Sequence, residues 1–280
     1  MHLTLGFSPC PNDTFIFDAL VNNKIDTEGI SFDVILEDVE TLNQLAIENT
    51  LDVTKISYGV WPLVINNYII LNSGSALGRG VGPLLVAKNN VSFDEVEDCT
   101  IAIPGQHTTA HMLFTLAFPD VVNKVFLRYD EIEDFISFAS NDRAGVIIHE
   151  NRFTYEKKGL KKIIDLGKFW EDETGYPIPL GGIVAKRNMD ILLLNKIDGL
   201  IKRSIKYAFA NYPLLTDYVK LNSQEMEEDV MRKHIDLYVN DYSANLGAEG
   251  KKAIEKLLGI YQKNNVNYVL NEGVYFLENQ

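Results

Sequence analysis

Leu3-Thr4-Leu5-Gly6-Phe7-Ser8-Pro9-Cys10-Pro11-Asn12-Asp13-Thr14-Phe15-Ile16-Phe17-Asp18-Ala19-Leu20-Val21 opens the chain. Leu3–Phe7 is a short apolar run and reads as a strand. Pro9 and Pro11 each fix φ, so the loop that follows has a set path. Asn12 or Asp13 can cap a helix over Asp13–Val21, leaving its first N–H groups ordered at the loop.

The same unit recurs downstream. Strands are expected at Ile30–Leu36, Val53–Ile56 and Tyr68–Leu71, with helices over Glu40–Glu48 and Tyr58–Ile65 between them. After the glycine-rich Gly78-Arg79-Gly80-Val81-Gly82 and a strand at Leu84–Ala87, a second series begins. It has strands at Thr100–Ile103, Lys124–Leu127 and Ala144–Ile148, and helices over Thr108–Phe118 and Ile132–Ala139. Strands alternating with helices argue for parallel α/β sheets. A proline and glycine cluster, Pro179-Leu180-Gly181-Gly182, precedes a strand at Ile183–Ala185. Beyond Asp190 the pattern turns helical, over Leu192–Tyr212, Gln224–Val239 and Ala248–Gln262.

A helical tail without a sheet of its own must pack on an earlier one. The expected architecture is therefore two α/β lobes: residues 1–87 open the first, 88–182 form the second, and 183–280 return to the first. Crossings near Ala87–Asn90 and Gly181–Ala185 would form a hinge, with a cleft between the lobes.

The bulk numbers limit what such a cleft can serve. The chain has 280 residues and a formal net charge of −13. Nucleic acid is an unsuitable partner, because phosphate neutralisation needs a basic footprint. An anionic membrane surface is excluded for the same reason. No apolar run approaches the length of a membrane span, and no secretion signal is visible, so a cytoplasmic location is expected. An anionic small molecule still fits, since helix starts and one or two buried cations supply local positive potential. The two cysteines, Cys10 and Cys99, exclude a disulfide framework; they read as either two reduced thiols, the plainer reading, or a single Cys10–Cys99 bridge. The sequence does not specify an oligomeric state.

Ligands of open α/β sheets sit beyond the carboxyl ends of the strands, so the residues there are the candidates. Asn12 lies in the first such loop, which is either substrate-facing or merely a rigid turn. Lys55-Ile56-Ser57 ends the third strand. Ser57 would begin a helix and hold a carboxylate or hydroxyl with Lys55 beside it; the plainer reading is a cap serine and a surface lysine. Thr108 and Thr109 follow Pro104-Gly105 at another helix start. Arg79 can meet a carboxylate or sit in a surface turn. His149 follows a buried strand, and an imidazole suits a general base near neutral pH. Asp142 and Glu150 are near enough in sequence to orient its ring. His107 and His111 have helical zinc spacing but lack a third ligand, and His2 and His234 are less persuasive.

Together these segments resemble the 1,4-dihydroxy-6-naphthoate synthase family. The resemblance rests on Ser8-Pro9-Cys10-Pro11-Asn12-Asp13-Thr14-Phe15, Lys55-Ile56-Ser57, Gly78-Arg79-Gly80, Pro104-Gly105 with Thr108-Thr109, and His149-Glu150, in that order. It implies a two-lobed type II periplasmic-binding-protein fold. It implies conversion of cyclic dehypoxanthine futalosine to 1,4-dihydroxy-6-naphthoate in menaquinone biosynthesis, with release of dihydroxyacetone and no metal or organic cofactor. It further implies His149 as proton acceptor, with substrate contacts at Lys55–Ser57 and Thr108-Thr109. The alternatives are a non-catalytic solute-binding protein of the same fold, which would need export, and the sister enzyme chorismate dehydratase.

Overall fold

A computed structural model describes residues 1–138, 143–224, 227–265 and 274–278. In chain order the first elements are β1 (His2–Phe7), α1 (Pro11–Val21), β2 (Ser31–Leu36), α2 (Val39–Ile47), β3 (Val53–Ser57), α3 (Trp61–Val64), β4 (Tyr68–Ile70) and β5 (Ala76–Gly78). There follow β6 (Leu84–Ala87), β7 (Thr100–Ile103), α4 (Thr109–Ala117), β8 (Lys124–Phe126), α5 (Ile132–Ser137), β9 (Arg143–Ile147), α6 (Asn151–Thr154), β10 (Lys161–Asp165) and α7 (Leu166–Thr174). The chain closes with β11 (Ile178–Lys186), α8 (Ile191–Asn211), α9 (Asp217–Asn222), α10 (Glu228–Tyr238), α11 (Asp241–Ala244) and α12 (Gly247–Asn264).

The strands form two mixed sheets. One has the order β2-β1-β3-β11-β4, with β5 also paired to β11; the other has the order β10-β6-β9-β7-β8. β1 runs parallel to β2 and β3, and β7 parallel to β8 and β9. β11 is antiparallel to all three of its partners.

Alternation along the strands explains the layering, since successive side chains leave opposite faces. Leu84 and Val86 join the small apolar cluster outside the second sheet, while Leu85 and Ala87 face the cluster between the sheets. On β11, Ile183 and Ala185 join the cluster under α1 and α8, and Val184 joins the central one. The central cluster reaches both sheets, from Ile56 and Val184 to Ile101 and Val146. The tail packs on the first sheet's helices, with α8, α9 and α10 against α1.

Several expectations change. Leu84–Ala87, expected to close the first lobe's opening segment, hydrogen-bonds to β9 and β10 in the second sheet, so the chain passes between sheets at residues 79–83. The cluster Pro179-Leu180-Gly181-Gly182 lies inside β11, not in a turn. Pro179 is tolerated at a register shift in the β5 pairing, where a missing N–H costs least. Gly182 is required there, because a Cβ would lie 2.2 Å from the Tyr58 hydroxyl oxygen. β5, β10 and α7 were not foreseen. The helix expected over Gln224–Val239 is seen as Glu228–Tyr238; Glu225 and Met226 lie outside the described residues, as do Asp142 and the expected helix end at Ala139. Cys10 and Cys99 are both buried thiols and form no disulfide.

Candidate active site

Beyond the carboxyl ends of β1, β3 and β9 lies a cavity between the sheets. Asn12, Lys55, Ile56, Ser57, Thr108, Thr109 and His149 all line it. Arg79 does not: it is exposed, and its guanidinium donates to the Gly175 carbonyl at 3.0 Å and to Glu249 at 3.2 Å. The strand β5 ends one residue before it and turns the side chain outward onto the α7 and α12 termini.

The loop after β1 is built as its prolines require. Pro11 is the first helical residue, so α1 starts two positions earlier than expected, and Asp13 points back instead of capping. Its carboxylate accepts from the Ser8 hydroxyl at 2.7 Å, from the Asn12 amide at 2.9 Å and from the Lys55 ammonium at 3.1 Å. Lys55 also donates to the Gly74 carbonyl at 3.0 Å. Both charged side chains are almost wholly buried, so Lys55 enters the cavity as half of an ion pair rather than as a free cation.

Ser57 does not begin a helix, because α3 starts four residues later, at Trp61. Asn43 holds it instead: the Asn43 amide donates to the Ser57 hydroxyl at 3.2 Å and accepts the Ser57 N–H at 2.9 Å. Thr108 is the N-cap of α4, accepting the His111 N–H at 3.2 Å and donating to the Gly105 carbonyl at 2.9 Å. Thr109 donates to the Leu180 carbonyl at 2.6 Å and accepts the Gly59 N–H at 2.9 Å. These hydroxyls are thus occupied by the backbone. What α4 offers an anion is the positive end of its dipole.

His149 follows β9 with φ of 56°, a left-handed conformation that swings its ring into the cavity. The ring stands edge-on to Tyr129 at 4.9 Å between centroids and lies parallel to His234 at 5.9 Å. Burial pushes its pKa down to about 4; Asp13 and Asp38 pull the other way, and Lys55 adds to the drop. The ring is therefore neutral at pH 7. Burial and the neighbouring Glu150 push the Cys10 thiol well up, so it stays protonated.

Glu150, His149 and Cys10 bring one donor atom each within 4.8 Å of one another, the one such group of metal-capable side chains among the described residues. His107 and His111 point elsewhere, toward Glu40 and the Gln106 carbonyl. His234 was undervalued. It is fully buried on α10, lines the cavity and contacts Asn12 through Nε2 at 2.9 Å. The signal was present: Val230, Met231, Ile235 and Tyr238 make that face of the helix apolar, and a histidine in its middle has to be buried.

A family model described as menaquinone biosynthesis matches residues 3–263. A 1,4-dihydroxy-6-naphthoate synthase from Thermus thermophilus is 44% identical over 91% of this chain and 92% of that protein. A crystal structure of an Archaeoglobus fulgidus protein superposes with a TM-score of 0.89 at 30% identity, covering 95% of this chain and 98% of the other. A Candida albicans protein described as having the generic periplasmic-binding-protein fold superposes with a TM-score of 0.65 at 12% identity, over 100% and 98% of the two chains. The last likeness establishes the fold and nothing more.

Proposed function

The chain belongs to the menaquinone-biosynthesis family of 1,4-dihydroxy-6-naphthoate synthases, and we propose that it converts cyclic dehypoxanthine futalosine to 1,4-dihydroxy-6-naphthoate with His149 as the proton acceptor. The observation that carries this reading is a neutral imidazole facing a cavity that is also lined by the start of α4. The substrate carboxylate lies at the start of α4, where the helix dipole favours negative charge. Ser57, the Lys55–Asp13 pair and Asn12 take the hydroxyl-rich part of the substrate.

In the reaction His149 removes a proton, and a carbon–carbon bond breaks in the retro-aldol sense. The bonding pair passes to the departing three-carbon fragment, which takes up a proton and leaves as dihydroxyacetone. Aromatisation of the remaining ring supplies the driving force. A base with pKa near 4 is weak in the empty cavity. An anionic substrate laid beside it raises its proton affinity, because opposite charge favours the imidazolium. Closing of the two lobes about the substrate keeps water from the intermediate. We place the reaction in the cytoplasm, because the Thermus relative carries the name of a biosynthetic enzyme.

The test is His149→Ala assayed for turnover of the cyclic substrate, with product read by its naphthoate absorbance. Loss of a general base costs about 10²- to 10⁴-fold in rate. A variant working near the wild-type rate removes His149 from the role.

A further inference from the structure

We propose that His234 is a positioning residue for the base: its ring fixes the plane of His149 and seals water from it. The inference rests on the reading of His149 as proton acceptor.

His234 is the least accessible histidine near the cavity, with no exposed surface. Its ring is 9° from parallel to that of His149. Tyr238, one turn on along α10, backs it at 4.7 Å. Tyr129 stands edge-on to His149, so two aromatic groups limit the rotation of the base.

Hydrogen bonding fixes His234 in turn. A carboxylate only accepts, so the Asn12 amide nitrogen must face Asp13 and its oxygen must face His234. Nε2 of His234 therefore carries the hydrogen and donates to Asn12. Nδ1 is then a lone pair, buried and without a hydrogen-bond partner, with Glu150 Oε2 at 3.6 Å. Leaving a buried polar atom unmade is costly. The hydrogen bond to Asn12 thus sets the ring's orientation, while the ring itself, which a phenylalanine also supplies, covers His149.

The charged and titratable groups facing His149 are Asp13 on α1, Lys55 on β3, Asp38 before α2, and Glu150 beside it, together with the Cys10 thiol and the Tyr129 hydroxyl. None of them changes when His234 is substituted. What changes is hydration, and burial is the largest cause of the low proton affinity of His149.

Two variants separate the ring from its hydrogen bond. His234→Gln keeps a donor for Asn12 and loses the ring; His234→Phe keeps the ring and loses the donor. The measurement is the titration midpoint of the His149 Cε1–H resonance in the full chain, assigned with His149→Ala, alongside kcat and KM. In wild type the midpoint lies at about 4. In His234→Gln it rises by at least about one unit toward the solvent value, and kcat falls about 100-fold with KM changed less than about threefold. In His234→Phe the midpoint stays, and kcat retains more than about a tenth of its value. An unmoved midpoint in His234→Gln, or equal movement in both variants, overturns the proposal. The midpoints are read without substrate, so they stand whether or not His149→Ala turns over, which tests the base assignment by itself.

Discussion

Protonating His149 in its cavity is harder than protonating it in water, and the difference has two readable consequences. The free enzyme's kcat/KM should hold steady as pH falls from 7 and decline only near pH 4, where the ring charges. A decline centred near 6.5 would mean that the base is solvated or is another group. Stability follows the same equilibrium. Between pH 6.5 and about 4 the unfolded chain takes up this proton and the folded chain does not. Stability is therefore whole above the unfolded value and drops by about 3 kcal/mol across that window. His234, pushed well below its usual pKa by burial and by His149, adds in the same direction. Urea midpoints at pH 7 and 4.5 should differ less in His149→Gln than in wild type. At this scale the sequence pointed to Lys55 and Ser57 at the end of a strand and to Thr108 and His149 in the loops after strands, and all four line the cavity. It did not disclose partners brought in from afar. Asn43 reaches Ser57 from 14 residues away, and His234 reaches Asn12 from 222. Arg79 misled because a glycine-flanked arginine looks the same whether its turn faces inward or out.

Among elements, a close junction beside the cavity is where the turn after β3 meets the start of α4. A Cβ on Gly59 would lie 2.6 Å from the Thr108 carbonyl carbon and oxygen and 2.7 Å from the Thr109 nitrogen, all backbone atoms. Gly59→Ala must therefore push α4 away from β3, at about 1–3 kcal/mol of overpacking. The expected result is a lower denaturation midpoint and a raised KM, since Ser57 and Thr108 separate. Gly259→Ala on α12, where a Cβ meets nothing within 4 Å, should gain up to about 1 kcal/mol. Equal effects at the two sites would mean the junction gives way easily. The alternating strands and helices of the first 150 residues were legible because hydrophobic period follows burial. β10 was not, because Lys161 and Lys162 make it read as loop. It is an edge strand, and edges carry such charges against unwanted pairing. β11 was half legible, since Pro179 and two glycines conceal a strand whose neighbours demand them.

For the molecule as a whole, one apolar cluster spans both sheets, so the halves are expected to melt together even though the cavity lies between them. A bound ligand then stabilises the entire chain. The naphthoate product at 100 times its Kd should add about 2.7 kcal/mol to unfolding, read as a single shifted thermal transition. Two separate transitions, with one unmoved by the product, would show halves that fold apart. The two-sheet plan was visible in the sequence; the point of passage was not, because Leu84–Ala87 is equally apolar for either sheet. The placement of β11 also orders events at the ribosome. β4 and β5 find their sheet partner only in a strand ending at Lys186, whereas the second sheet is complete once Asp165 has emerged. For about one to four seconds of translation between those two points, the later-encoded half can close while the half encoded first waits with an open edge, so a nascent chain halted before Ile178 should expose the very strands that the finished protein hides.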